Sequence, residues 1–308
     1  MDKASALKHG LLFAALSPIF SSIATIFQAG AAKALNPLIV TSAGGILGGA
    51  ILLAMLLVTE KRKVLAKAGK NSKDIAKMTL LRPVLGVLTF ALGLAMTDAI
   101  KAIFFTKVEP YFVLVAHWVA RRERVYARQL GLLAVHIAGA VMLSTGGVPA
   151  LGIAQLGDIF VVLAMALFAA SYIYAARLSK SIGARMANGI TMLVGGLVIL
   201  PFALALSPPA AWDSALGWKY LIGYALLFNV IGLTLWFAAL KTVKSWIVSA
   251  LRAIGPIAGA PVAFLMFGET LTAIQLAGAA IVLATAALIA REHKVHKRRP
   301  ERRKALRN

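Results

Sequence analysis

The sequence predicts an all-α integral membrane protein: ten transmembrane helices in two inverted five-helix repeats, with both termini in the cytoplasm. Three observations carry this expectation: an apolar composition, ten apolar stretches of spanning length, and basic residues gathered on one side of them. The 308 residues are 60% hydrophobic and 14% charged, with a mean hydropathy of +0.83. A soluble domain averages about 45–50% apolar and about a quarter charged, so the polar material here cannot cover a water-facing surface. A soluble enzyme is excluded. The absence of cysteine removes disulfides, thiolate metal ligands and a cysteine nucleophile together.

A helix needs about 20 mostly apolar residues to cross a hydrocarbon core of about 30 Å. The first stretch, 9–28, is longer than the core of a cleaved leader and no small-x-small site follows it, which predicts a retained signal anchor. The second, 38–58, carries Gly44, Gly45, Gly48 and Gly49 in the small-x3-small spacing of closely packed helices. The third, 80–97, follows a basic loop. The fourth, 102–120, holds Lys107, Glu109 and Pro110, and the fifth, 129–147, has His136 at mid-span. Asp158 lies early in the sixth, 156–174, where its charge favours the helix N-terminus. The seventh and eighth cover 189–206 and 219–240. The ninth, 245–267, holds Arg252 and Pro256, and 273–290 is the tenth. Most are apolar all round, without the period-2 alternation of a membrane barrel strand.

Alternating the spans from a cytoplasmic N-terminus puts 28 of the 33 basic residues inside. They sit in the N-terminal segment, the loop from Lys61 to Arg82, the connections at 121–128, 177–185 and 241–244, and the tail from Arg291. This is the asymmetry that orients membrane helices, and an odd number of spans would scramble it. Lys33, Lys101 and Lys219 fall at or near the outer side, with Asp98 and Lys101 flanking a short external turn. Lys107 and Arg252 fall within spans.

The two halves resemble each other. Pro110, Glu123, Gln129 and Leu130 recur as Pro256, Glu269, Gln275 and Leu276 at an offset of 146, and Gly48, Gly49 and Phe13 recur as Gly195, Gly196 and Phe160 at 147. This divides the chain into a first repeat (1–147), a second (148–290) and a basic cytoplasmic tail (291–308). Five spans per repeat invert the second half relative to the first. That architecture lets one half rock against the other around a midplane site, as in secondary transporters.

These residues resemble a known family. Gly255-Pro256, then Phe267-Gly268-Glu269-Thr270-Leu271-Thr272 and Gln275-Leu276-Ala277-Gly278-Ala279, are similar to the ninth and tenth helices of EamA-type members of the drug/metabolite transporter superfamily. The first repeat matches with Glu109-Pro110-Tyr111-Phe112, Glu123-Arg124-Val125 and Gln129-Leu130-Gly131. It departs where Arg121-Arg122 replaces the usual Leu-Gly before the Glu. The resemblance covers essentially the whole chain. It implies a carrier of small metabolites, often an exporter of amino acids or related compounds, and a structural role for Pro110, Pro256, Glu123 and Glu269.

Ionisable groups inside a span are costly and mark functional positions by default. The repeat register sets Arg252 against position 106 and Glu109 against Gly255, and positions 106 and 109 lie on neighbouring faces of one helix, so both are expected on a common seam, where Arg252 could grip a carboxylate or phosphate as a fork and Glu109 an ammonium or a proton. The competing reading is a buried pair that holds two helices together. Lys107 lies nearby but, two residues from Glu109, is expected on another face. Tyr111, Trp118, Trp236 and Trp246 are aromatic candidates to line a cavity, and Tyr111, Trp236 and Trp246 join Arg252, Glu109 and Lys107 as the substrate-binding set. His117 and Glu109 are the gating or proton-coupling candidates. For His117 an interfacial role, and for His136 a structural one, stand beside these.

No phosphate loop of the Gly-x4-Gly-Lys-Ser/Thr type, no His-Glu-x2-His cluster and no serine elbow occurs in the sequence, so neither ATP hydrolysis, a metal site nor a cofactor is expected. The expected partners are a small-molecule substrate, anionic or zwitterionic, and anionic headgroups beside the basic loop and tail. Nucleic acid is not among them, and a homodimer is compatible with this reading. The expected setting is the bacterial inner membrane, multi-pass. The expected activity is secondary export of a small polar metabolite. A flippase for lipid-linked substrates and a non-transporting receptor or assembly partner are the alternatives.

Overall fold

In a computed structural model, the described residues are 3–59, 68–121, 127–146, 153–243, 248, 251–285 and 287–288. They are helical with short turns. Six helices are long and apolar enough to cross a membrane: α1 (Lys3–Ala34), α2 (Pro37–Thr59), α3 (Ser72–Met96), α7 (Ile153–Ser181), α8 (Ala184–Leu206) and α9 (Ala215–Thr242). Between α3 and α7 lie α4 (Ala99–Phe105), α5 (Glu109–Arg121) and α6 (Ala127–Thr145). After α9 come α10 (Gly255–Phe267) and α11 (Ala273–Thr285). The exterior is apolar: Val58, Leu265 and Ile257 are 87%, 80% and 76% exposed. A patch of that kind along many helices suits hydrocarbon, not water.

Local chemistry sets the ends. The Asn36 side chain accepts the Leu38 N–H at 2.8 Å and Pro37 opens α2, where its missing N–H costs nothing. Gly268 closes α10 in the left-handed conformation (φ 65°), with its N–H on the Phe264 carbonyl. Thr272 and Gln275 then form a reciprocal capping box for α11. The Thr272 hydroxyl accepts the Gln275 N–H at 3.3 Å, and the Gln275 side chain accepts the Thr272 N–H at 3.0 Å.

Close crossings hold the bundle. A Cβ on Gly49 would sit 2.5 Å from the Leu193 nitrogen, and one on Gly196 would sit 2.6 Å from the Ile46 nitrogen. Gly45 and Gly49 of α2 and Gly196 of α8 thus let the two backbones touch, while Gly48 and Gly195 make room for Asn229 and Pro83.

Among the described residues, helix regularity fails at four places along or beside these helices. A 3₁₀ turn, Thr106–Val108, links α4 to α5, and another, Arg252–Ile254, precedes α10. The offset between them is again 146. Wider π turns occupy Leu80–Gly86 in α3 and Ala225–Gly232 in α9, nearly the same separation. Pro83 explains the first, since it lacks an N–H and crowds the preceding turn. In the second, side chains satisfy carbonyls: Asn188 donates to Asn229 O at 2.6 Å and Ser17 to Gly232 O at 2.8 Å.

Two expectations change here. The third helix begins at Ser72 rather than at 80, because the amphipathic turn 72–79 buries Met78 and Thr79 against the bundle. Arg82 therefore lies within a helix and is 1% exposed, not in a cytoplasmic loop. Asp158 accepts the Thr97 hydroxyl, which ties α7 to the turn after α3. The expected effect of its charge on the helix start is corrected: α7 begins at Ile153 with no acidic residue in its first turn, and the dipole effect fades beyond that turn.

Candidate functional site

The two 3₁₀ breaks place the two charged residues together. Glu109 is the first residue of α5 and is fully buried, and its Oε2 lies 2.9 Å from Nη1 of Arg252 in the facing break. The contact is an ion pair by distance, yet neither carboxylate oxygen meets an aligned hydrogen-bond donor among the described residues. The Tyr172 hydroxyl lies within reach of both Glu109 and Arg252, but neither it nor the Arg252 Nε has a well-aligned partner among the described residues. A buried ion pair that is imperfectly hydrogen-bonded does not recover its desolvation cost. It is poor cement, and its polar atoms are not fully used.

Proline at the second position of each following helix, Pro110 and Pro256, fits the structural role implied for both. Gly255 is required by close approach, since a Cβ there would collide with the Ser22 hydroxyl and stand 3.1 Å from Lys107 Nζ. Lys107 is 2% exposed and lines one small cavity with Arg252, Ser22, Thr25, Thr106 and Phe168. The expectation that Lys107 points elsewhere is corrected: the tight 3₁₀ winding rotates it into the chamber that Arg252 shares. That cavity, about 20 Å³, has room for a single water.

Arg82 completes the centre and is the residue that sequence reasoning misplaced. Its guanidinium lies 4.0 Å from the Trp236 ring and 4.6 Å from the Phe168 ring, a cation–π sandwich. Its Nη1 donates to Ser171 Oγ at 3.1 Å. Trp236, 2% exposed, packs edge-on against Tyr172 with ring centroids 4.9 Å apart, which places it between Tyr172 and Arg82. The signal for Arg82 was the Arg82-Pro83 pair with the helical stretch from Ser72 before it, which a hydropathy window starting at 80 discards.

Other candidates lie elsewhere. Tyr111 is buried beside His136, with ring centroids 4.7 Å apart, and His136 Nδ1 shares a 2.8 Å hydrogen bond with Thr285 Oγ1. This cluster links α5, α6 and α11, so Tyr111 is not brought to the Glu109–Arg252 pair. Glu269 accepts the N–H groups of Ala99 and Ile100 at 3.2 and 2.8 Å and caps α4, a structural use. Lys101 pairs with Asp98 at 3.1 Å. Trp246 and Glu123 lie outside the described residues, as do the side chains of His117 and Trp118. Among the described residues, no group of three His, Cys, Asp or Glu is placed to hold a metal.

A polytopic helical bundle with a lipid-compatible exterior and a charged, aromatic-lined centre defines an integral membrane protein of the carrier type. The sequence matches the EamA-like transporter family over residues 8–145 and 155–291, and the chain belongs to that family. It is a multi-pass membrane transporter by that membership. It is 24% identical over 252 residues to the uncharacterized transporter YetK of Bacillus subtilis, covering 77% of this chain and 73% of that protein. It is 26% identical over 204 residues to a protein of Salmonella typhimurium described as a probable amino-acid metabolite efflux pump, covering 62% of this chain and 65% of that one. A solved protein crystal structure shares the fold, with a TM-score of 0.63 at 14% identity over 94% of this chain and 99% of the other.

Proposed function

We propose that the protein is a secondary transporter that exports a small polar metabolite, an amino acid or an organic anion, by alternating access around the Glu109–Arg252 centre. The observation that carries this is the meeting of two helix breaks, one from each half, at a buried ion pair whose polar atoms are not fully used. Interrupted helices facing each other near the midplane are how carriers build a substrate site. The Salmonella relative's description supports export of an amino-acid metabolite. Glu109 serves as the counter-charge for Arg252 when substrate is absent and as a proton or ammonium acceptor when it is present. His117 is the gating candidate.

In this reading the six long helices are joined by four further spans, formed by 99–121, 127–145, 252–267 and 273–285, giving two inverted repeats of five with both termini in the cytoplasm. The paired match to the family, the 146-residue spacing of the 3₁₀ turns and the recurring Pro, Glu and Gln all support it. The setting is the bacterial inner membrane, with anionic headgroups at the basic loop and tail.

A second reading, a flippase for lipid-linked substrates, draws on a separate apolar groove of about 380 Å³ lined by Phe105, Val108, Ile137, Val141 and Ile159. Counterflow in liposomes of purified protein separates the readings. Preloaded unlabelled metabolite should drive uptake of its labelled form for one class of a metabolite library. Counterflow of a lipid-linked sugar alone would support the flippase, and ligand binding without any counterflow would exclude transport.

A further inference from the structure

We infer that the central site takes a doubly charged anion, with Arg82 as a third cation behind its aromatic wall. This deepens the transport reading and rests on it. Arg82, Lys107 and Arg252 are gathered against a single carboxylate, Glu109. The guanidiniums keep their charge at any physiological pH. The remaining buried ionisable groups among the described residues are engaged elsewhere. Lys101 pairs with Asp98, Asp158 takes the Thr97 hydroxyl, and His136 bonds Thr285.

Surplus positive charge in a bilayer interior is costly without a counter-ion. An anion with two negative charges restores neutrality when Lys107 is protonated, whereas a zwitterion leaves the surplus in place. The geometry suits this role. Stacking between Trp236 and Phe168 fixes the plane of Arg82, and one terminal nitrogen is held by Ser171. Among the described residues, neither the Arg82 Nε nor the Arg252 Nε meets a well-aligned acceptor. Phe168 lines the cavity of Lys107 and Arg252 and lies against Arg82, so Arg82 stands one ring behind that cavity, in electrostatic contact with Glu109 and Arg252. Carboxylate and phosphate both offer the planar or forked acceptors that arginine meets in bidentate fashion. Because the chamber holds only a single water as it stands, such a ligand enters when the halves part.

The test is equilibrium binding to the full chain in nanodiscs in chloride-free buffer, read by tryptophan fluorescence. Succinate and inorganic phosphate are the dianionic probes, acetate the monoanion and glycine the zwitterion. We expect one dianion to bind at least about tenfold more tightly than acetate or glycine, a difference of about 1.4 kcal/mol. Whether succinate or phosphate wins tells dicarboxylate from phosphate chemistry. R82Q should reduce that preference to within about twofold, while R82K, which keeps the charge and the stack, retains part of it and verifies that the site still folds. Acetate or glycine binding as tightly as either dianion, an unchanged preference in R82Q, or no saturable dianion binding at millimolar concentration would each overturn the inference. Flux of a zwitterion that still depends on Arg252 would sink the dianion alone. Flux indifferent to Arg252 would sink the transport site itself.

Discussion

The cap that Glu269 places on α4 can be weighed bond by bond. Asp98 stands at the cap position of that helix, but its side chain does not cap it and turns to Lys101 instead. The acceptors for the first donors of α4 therefore come from just beyond α10, where Glu269 accepts the Ile100 N–H at 2.8 Å and the Ala99 N–H at 3.2 Å. Charge-assisted bonds contribute about 1.5–3 kcal/mol and neutral ones about 0.5–1.5. Counting one short and one longer bond, Glu269→Ala should cost about 2–4 kcal/mol. Glu269→Gln keeps one carbonyl acceptor but loses the charge at the helix N-terminus, and should cost about 1–2 kcal/mol. Lys33 is the third member, but its ammonium lies 3.9 Å away and its side chain is 42% exposed, so Lys33→Ala should cost less than about 1 kcal/mol. Reversible unfolding in mixed micelles, followed by tryptophan fluorescence, measures all three. The expected order has Glu269→Ala the most damaging, Glu269→Gln intermediate and Lys33→Ala the mildest. Wild-type stability in Glu269→Ala, or equal losses in Lys33→Ala and Glu269→Ala, would refute the cap.

Two further perturbations test packing and charge. Gly49→Ala drives a methyl into the α8 backbone and should destabilise by about 1–3 kcal/mol. Gly131→Ala, with open space around it, should be neutral or stabilising by up to about 1 kcal/mol; thermal stability in detergent distinguishes them. Arg252→Gln leaves Glu109 buried without its partner and should cost about 3–5 kcal/mol. Pairing it with Glu109→Gln should recover most of that loss, as chemical denaturation of the single and double variants would reveal.

Much of the fold was legible because hydrocarbon imposes a simple rule, an uninterrupted apolar stretch for each crossing. The repeat was visible in Pro110 and Pro256, Glu123 and Glu269, and Gln129 and Gln275, residues too scarce here to recur idly. Glu269 and Gln275 prove to be helix-capping groups, which explains why their spacing is informative. The winding of the backbone was not legible. Hydropathy does not encode a 3₁₀ turn, so an ideal helix put Lys107 on the wrong face. The same face rule, applied to Glu109 and Tyr111, already separates two residues that were grouped as one site, and the structure places Tyr111 beside His136. Arg82 was hidden by its neighbours. A basic loop ends just before the apolar run, and only the long amphipathic start of α3 reveals that it is inside.

The central claim is that substrate passes the Glu109–Arg252 pair. Its most direct test is labelled-substrate counterflow in liposomes holding equal amounts of folded wild-type, Arg252→Gln and Glu109→Gln protein. Counterflow should vanish in Arg252→Gln and fall steeply in Glu109→Gln while both proteins remain folded in the bilayer. Wild-type flux in both variants would contradict it.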